Sequence, residues 1–216
     1  MELYQAIRTR RTIREFSDEP VEQDKLTQVL EAGLLAPANA HMRDWNFVLV
    51  RDEKIRAAVV EIEGKKGSEH YSTGEIRQRF SYMPEIAQKV YVYAIPLQRR
   101  MLLTAPELLV VCYRMPKPLA ECRILYDLNY LASAWCCIEN ILLAMASEGL
   151  FGVTYVPQHN ARLRELLAIP AGYEIAAIIP LGYPAPNAVR LEQDRATLEG
   201  RVHIDRFEPE IQPPQD

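Results

Sequence analysis

Four arginines, Arg8, Arg10, Arg11 and Arg14, fall within seven residues near the start of the chain, with Thr12 among them. The protein carries a formal net charge of −4, so this basic character is local. A phosphate monoester needs several donors at once. Guanidinium groups supply bidentate, charge-assisted hydrogen bonds, and a hydroxyl such as that of Thr12 completes the set. The same arginines also suit a plainer role, complementing the dipole of a helix that ends beside them. Taken alone, the segment leaves both readings open.

A second segment, Pro37-Ala38-Asn39-Ala40-His41-Met42-Arg43-Asp44-Trp45, joins a helix end to an apolar run. Its small and amide residues offer backbone on which a planar ligand can lie. Other chemistries find little support. The four cysteines, Cys112, Cys122, Cys136 and Cys137, form no C-x-x-C pair and have no histidine at zinc-ligand spacing, so they read as reduced, mostly buried small hydrophobes and no metal site is expected. There is no G-x-G-x-x-G, hence no fingerprint for a permanently bound dinucleotide. His41, His70, His159 and His203 are assigned no acid or base role.

Composition fits an ordinary globular chain, with 49% hydrophobic and 25% charged residues among 216. No window approaches the roughly 18 unbroken apolar residues of a membrane span. The acidic balance argues against a nucleic-acid partner. The opening MELYQAIRTRRTIREF interrupts every apolar stretch with a charge, which leaves no secretory signal and makes a cytoplasmic protein the expectation.

The elements that must position these residues follow from periodicity. A short helix opens the chain and gives way to an extended Arg14-Glu15-Phe16. Leu26, Val29, Leu30, Gly33 and Leu34 share one face of a second helix, which Pro37 ends. Trp45 to Val50 reads as a buried strand, and residues 53–63 return to helical spacing. Residues 64–100 read as a variable insertion, polar and glycine-punctuated from Gly64 to about Phe80. Strands are expected at Glu107–Tyr113 and Glu174–Leu181. Between them, Tyr126 to Glu148 forms a helix apolar nearly all round, capped by Gly149. After Pro186 an extended arm carries one short strand, Val202 to Phe207, and has so little core of its own that a partner subunit is the natural surface for it to wrap.

The Arg10-Arg11-Thr12-Ile13-Arg14-Glu15-Phe16 segment and the Pro37 to Trp45 loop, at their mutual spacing, resemble the nitroreductase family. Leu103-Thr104-Ala105-Pro106, Ile138 to Ala144 and Leu181-Gly182-Tyr183-Pro184 extend the resemblance over nearly the whole chain. It implies one α+β domain over residues 1–216, a nitroreductase-like fold with a central mixed β-sheet flanked by helices and an arm at 186–216 lying on the partner. It also implies a homodimer with FMN at the subunit interface. Carried over by position, Arg10, Arg11 and Thr12 meet the flavin phosphate and ribityl chain, and Arg14 meets the N1/O2 edge of the ring. Pro37, Ala38, Asn39 and His41 come over the same flavin from the other subunit. This loop departs from the family pattern at Ala38, His41 and Arg43-Asp44, where serine, asparagine and Gln-Pro are usual.

Leu150 to Val156 resembles the loop whose N–H groups face flavin N5 and O4. The contact then falls to Thr154, Tyr155 or Val156, because Pro157 has no N–H. Arg195 resembles the C-terminal phosphate contact, with Arg190 as second choice. The implied activity is hydride uptake from NAD(P)H, a transient donor, followed by ping-pong reduction of a small electron-poor acceptor such as a nitroaromatic or quinone. The flavin carries that chemistry, so no catalytic side chain is required. Alternatives are a flavin storage or sensing protein, or a specialised member such as a flavin destructase or reductive dehalogenase.

Overall fold

A computed structural model describes residues 1–64, 67–193 and 196–207. Its centre is a four-stranded sheet in the order β1 (Trp45–Leu49), β2 (Glu107–Arg114), β4 (Tyr173–Gly182), β3 (Phe151–Gly152). The named strands all pair antiparallel, where the sequence suggested a mixed sheet. Among the described residues, parallel pairing is confined to a single bridge, Thr12 to Gly152, which adds the N-terminal segment to the sheet edge.

Seven consecutive residues of β2 are buried because helices cover both faces, which is why this strand reads as an unbroken apolar run. Side chains alternate across the pleat. Leu109, Val111, Tyr113, Ala177, Ile179 and Leu181 pack on one face with α2 (Gln23–Leu34) and α6 (Asn129–Ser147). Leu108, Val110, Cys112 and Ile178 pack on the other with Val59, Val60, Met101, Leu102 and Leu163. These last five come from α3 (Glu53–Glu63), α5 (Glu85–Thr104) and α7 (Asn160–Leu166).

Local chemistry sets the helix ends. Asp52 caps α3, its carboxylate accepting from the N–H groups of Lys54 and Ile55, both at 2.9 Å. Gly149, at φ 74°, ends α6 in a Schellman turn: Leu150 N–H reaches Met145 O at 2.8 Å and Gly149 N–H reaches Ala146 O at 3.3 Å. Gly33 lets α2 approach α6 closely, since a Cβ there would lie 2.8 Å from Ile141 Cγ1.

Helix α6 follows a 3-10 turn at Leu125–Leu128. The stretch Leu125–Ser147 is long and apolar enough to cross a membrane by length and composition alone. Cys137, Ile138, Ile141 and Met145 are buried on one side, while Cys136 is exposed on the other. The expectation of mostly buried cysteines thus holds for Cys112 and Cys137, and Cys122 is half-buried. Burial alone pushes the Cys112 thiol up to about 12, and does the same for Cys137 with help from Cys136.

Two other segments take a definite form. Residues 64–100, read as an insertion, contain α4 (Thr73–Arg79) and most of the 20-residue α5. Pro96 sits inside α5 and removes a backbone donor, which disguised the helix in sequence. Val202 to Phe207 forms no strand; Val202, Ile204 and Phe207 stand exposed.

Candidate functional site

The segment after α1 (Leu3–Thr9) is stitched along the sheet edge. Ile13 N–H donates to Gly152 O at 3.2 Å, Ser17 N–H to Tyr183 O at 3.0 Å, and Ala185 N–H to Glu15 O at 3.0 Å. Ile13 is fully buried, and extended geometry then turns Arg14 the opposite way, into a cleft. The Arg14 guanidinium lies 5.9 Å from the centre of the Tyr93 ring and makes no hydrogen bond or ion pair among the described residues. Burial lowers its pKa, opposed in part by Tyr93. The Tyr93 hydroxyl donates to Glu15 Oε2 at 2.8 Å, and burial with that bond pushes the phenol up to about 12.

The cleft has a volume of about 840 Å³ and runs between the C-terminal end of α3, the α4–α5 pair and residues 153–159. Phe80 and Tyr91 stack on its wall with ring centres 4.2 Å apart. On the facing wall Tyr155 is tied to the sheet by two backbone bonds with Ile178, each 2.8 Å. The buried Glu63 carboxylate accepts from Tyr155 Oη at 3.1 Å, from Gln158 N–H at 2.8 Å and from His159 N–H at 2.7 Å. The N–H groups of Thr154, just before the first anchor, and Val156, between the two, have no hydrogen-bond partner among the described residues. A partly desolvated cation and two free amide donors therefore line one cavity, an arrangement suited to an anionic or strongly electron-accepting planar ligand.

Comparison with known proteins identifies the family and the fold. The pattern of the nitroreductase family matches residues 7–183. The chain belongs to that family. Iodotyrosine deiodinase 1 of Rattus norvegicus is 28% identical over 206 residues, 92% of this chain and 67% of the relative. An NADH dehydrogenase/NAD(P)H nitroreductase of Archaeoglobus fulgidus is 28% identical over 210 residues, 95% of this chain and 99% of the relative. Among solved structures, oxidized iodotyrosine deiodinase bound to FMN and 3-iodo-L-tyrosine superposes with a TM-score of 0.70 at 24% identity, covering 95% of this chain and 100% of that one. A nitroreductase family protein from Clostridium novyi gives a TM-score of 0.66 at 19% identity, over 86% and 87% of the two chains.

Of the residues that the family resemblance singled out, Arg14, Thr154, Tyr155 and Val156 line the cleft together. The Tyr155 N–H is spent on Ile178, which leaves Thr154 and Val156 as the available donors. Arg10, Arg11 and Thr12 lie outside the cleft lining. Arg11 turns back on the end of α1, donating to the carbonyls of Arg8 and Arg10 at 2.9 Å each, the helix-capping arrangement. Arg10 has no side-chain partner among the described residues.

The Pro37 to His41 loop also stays clear of this chain's own cleft. Asn39 N–H donates to Ser133 Oγ at 3.0 Å, fastening the loop to α6, and Ala40 and His41 adopt φ of 49° and 57°. Two successive non-glycine residues in left-handed backbone carry strain that packing must hold. Arg190 lies over the Phe151 ring at 5.3 Å, and Arg195 falls outside the described residues.

Sequence reasoning missed Glu63, Tyr93, Phe80 and Tyr91. Each acquires its role from a partner remote in the chain or on an element the sequence disguised. Glu63 and His159, for example, are 96 positions apart.

Proposed function

We propose that this chain is an FMN-dependent oxidoreductase that takes hydride from NADH or NADPH and reduces a small electron-poor acceptor, such as a nitroaromatic or quinone. The observation that carries the reading is Arg14, a half-buried guanidinium without a hydrogen-bond partner among the described residues, facing the same cleft as the N–H groups of Thr154 and Val156, which likewise find none there. Desolvating a cation without a partner is costly, and an electron-rich ligand edge offsets that cost.

These residues fit FMN. Bound there, the flavin supplies the two-electron chemistry. Arg14 holds positive charge at the N1/O2 edge, favouring electron uptake by the ring. Thr154 and Val156 orient the N5/O4 edge by N–H donation. Arg10, Arg11 and Thr12 hold the phosphate and ribityl chain, for which Arg11 must leave the two carbonyls it now caps. A second copy of the chain supplies Pro37, Ala38, Asn39 and His41.

That assembly has support in the exposed apolar side chains. Leu3 and Tyr4 of α1, Leu125 and Tyr126 before α6, and Ile204 and Phe207 of the arm are all more than half exposed in one chain. An apolar surface of this extent is what a self-complementary two-fold interface covers. The homodimer is tested by light scattering, where a stable monomer retaining one FMN per chain would contradict it.

Anaerobic mixing of the flavin-loaded protein with NADH and with NADPH tests the enzyme reading. Rapid bleaching of the flavin absorbance is the expected result. A flavin that stays oxidised removes the reading and favours storage or sensing instead. Similarity to the deiodinases favours a second reading, reductive removal of halide from an aromatic ring, in which two electrons and a proton convert a carbon–halogen bond to carbon–hydrogen and free halide. Iodide release from 3-iodo-L-tyrosine by the reduced protein distinguishes the two.

A further inference from the structure

Glu63, at the last residue of α3, is the one acidic side chain on the cleft wall that is buried out of contact with water. A carboxylate stripped of water is tolerated only where hydrogen bonds replace hydration. Here three do, and all come from one short stretch: Tyr155 Oη, Gln158 N–H and His159 N–H, at 3.1, 2.8 and 2.7 Å. The Tyr155 hydroxyl also lies 3.0 Å from the Glu63 carbonyl oxygen, so side chain and backbone of one residue grip the same phenol. His159 Nδ1 stands 3.6 Å from the carboxylate.

The stretch from Tyr155 to His159 is thereby suspended at two ends, with Thr154 directly before the first. At one end Tyr155 exchanges both backbone bonds with Ile178 of the sheet, and at the other Gln158 and His159 hang on Glu63. Between those anchors Pro157 contributes no donor and stiffens the chain. What remains free is the pair of N–H groups at Thr154 and Val156, and Val156 is exposed, with no packing of its own to hold it. Just beyond His159, Asn160 Nδ2 donates to Ile175 O at 3.1 Å and ties the start of α7 to the sheet, so within the stretch itself Glu63 is the side chain that sets its course.

We infer that Glu63 is the positioning residue for the flavin-facing loop, its buried carboxylate setting the direction in which the Thr154 and Val156 N–H groups point. The inference rests on the flavin reading above. Its physical content is that displacing donors by about an ångström costs orientation at the reacting edge while leaving phosphate-end affinity intact. The charge is essential to the arrangement. A carboxylate accepts from every one of the three donors, whereas an amide presents two hydrogens of its own to them.

The test uses full-length protein loaded with FMN, comparing wild type with Glu63→Gln and Tyr155→Phe. Hydrogen exchange at the Gln158 and His159 amides should rise about tenfold or more in Glu63→Gln, the equivalent of one lost charge-assisted bond, with the Val110 and Ile178 amides unchanged. The rate of flavin bleaching by the nicotinamide should fall about tenfold while FMN affinity stays within about threefold, since positioning acts on rate and the phosphate site on affinity. Tyr155→Phe removes one donor and keeps the charge, so it should show the same pattern more weakly, and it serves if Glu63→Gln folds poorly. Unchanged exchange at Gln158 and His159, or a rate loss accompanied by equal acceleration at Val110, overturns the inference. A wild-type protein that binds no FMN overturns the flavin reading itself. A wild type that binds and is bleached normally, with both variants indistinguishable from it, overturns the Glu63 assignment alone.

Discussion

Arg14 and Arg56 are both half-buried, and burial lowers the pKa of both, yet their surroundings differ in kind. Arg56, on α3, is enclosed by backbone oxygens. It donates to Val50 O from Nε at 3.2 Å and from a terminal nitrogen at 2.9 Å, and to Ala105 O at 2.6 Å and Leu103 O at 3.3 Å. It thereby ties the end of β1 to the end of α5. Arg14 has an aromatic neighbour in Tyr93 and no hydrogen bond at all among the described residues. One arginine is consumed by the fold, the other is held ready by it. A desolvated cation whose donors the fold leaves unused is a better pointer to a ligand than the density of arginines in the sequence.

The sharpest way to break this contrast is to remove each cation in turn. Arg56→Ala should destabilise the protein by about 3 kcal/mol, since several carbonyls lose a charged donor together, and denaturant unfolding will show it. Little change in unfolding midpoint would mean that those carbonyls find water and that the arginine is not structural. Arg14→Gln should do the reverse. FMN affinity is expected to drop roughly tenfold to a hundredfold, while stability without FMN changes by less than about 1 kcal/mol. Flavin titration of the two variants side by side checks the pairing, and equal affinity losses would erase the distinction.

A smaller effect is expected at Arg10, which is also unpartnered but lies outside the cleft. Arg10→Ala should weaken FMN about tenfold, with free phosphate competing less well than in wild type. If Arg11→Ala weakens FMN more, the helix-capping geometry of Arg11 gives way on binding. If Arg11→Ala costs only helix stability, Arg11 belongs with Arg56 on the structural side.

The smallest effect is one of pH. The folded protein raises the Tyr93 phenol from 10.0 to about 12, chiefly through burial. A group whose pKa is raised on folding contributes stability that is present below its unfolded value and lost as pH rises through the folded one. Wild type should therefore lose stability between about pH 10 and pH 12 more steeply than Tyr93→Phe, as read by alkaline unfolding curves. Parallel curves would show that folding does not raise the Tyr93 phenol.

Much of this molecule is written locally in its sequence. The unbroken buried runs of β2 and β4, the α2 face built on Leu26 and Val29, and the Schellman ending at Gly149 are each set within a few residues, because periodicity and capping act over one turn or one strand. The family was legible from its motifs, and the four residues that line the cleft together were among those that the resemblance singled out. Other features were settled by tertiary structure alone. The antiparallel order of the sheet depends on which edges the chain returns to, and Pro96 concealed α5 until packing against α3 and α4 held it. The folding of Arg11 onto α1, the isolation of Arg14 and the grip of Glu63 on Tyr155, Gln158 and His159 are choices of hydrogen-bond partner. Such choices are made between groups far apart in the chain, and only the folded backbone brings the competing acceptors within reach.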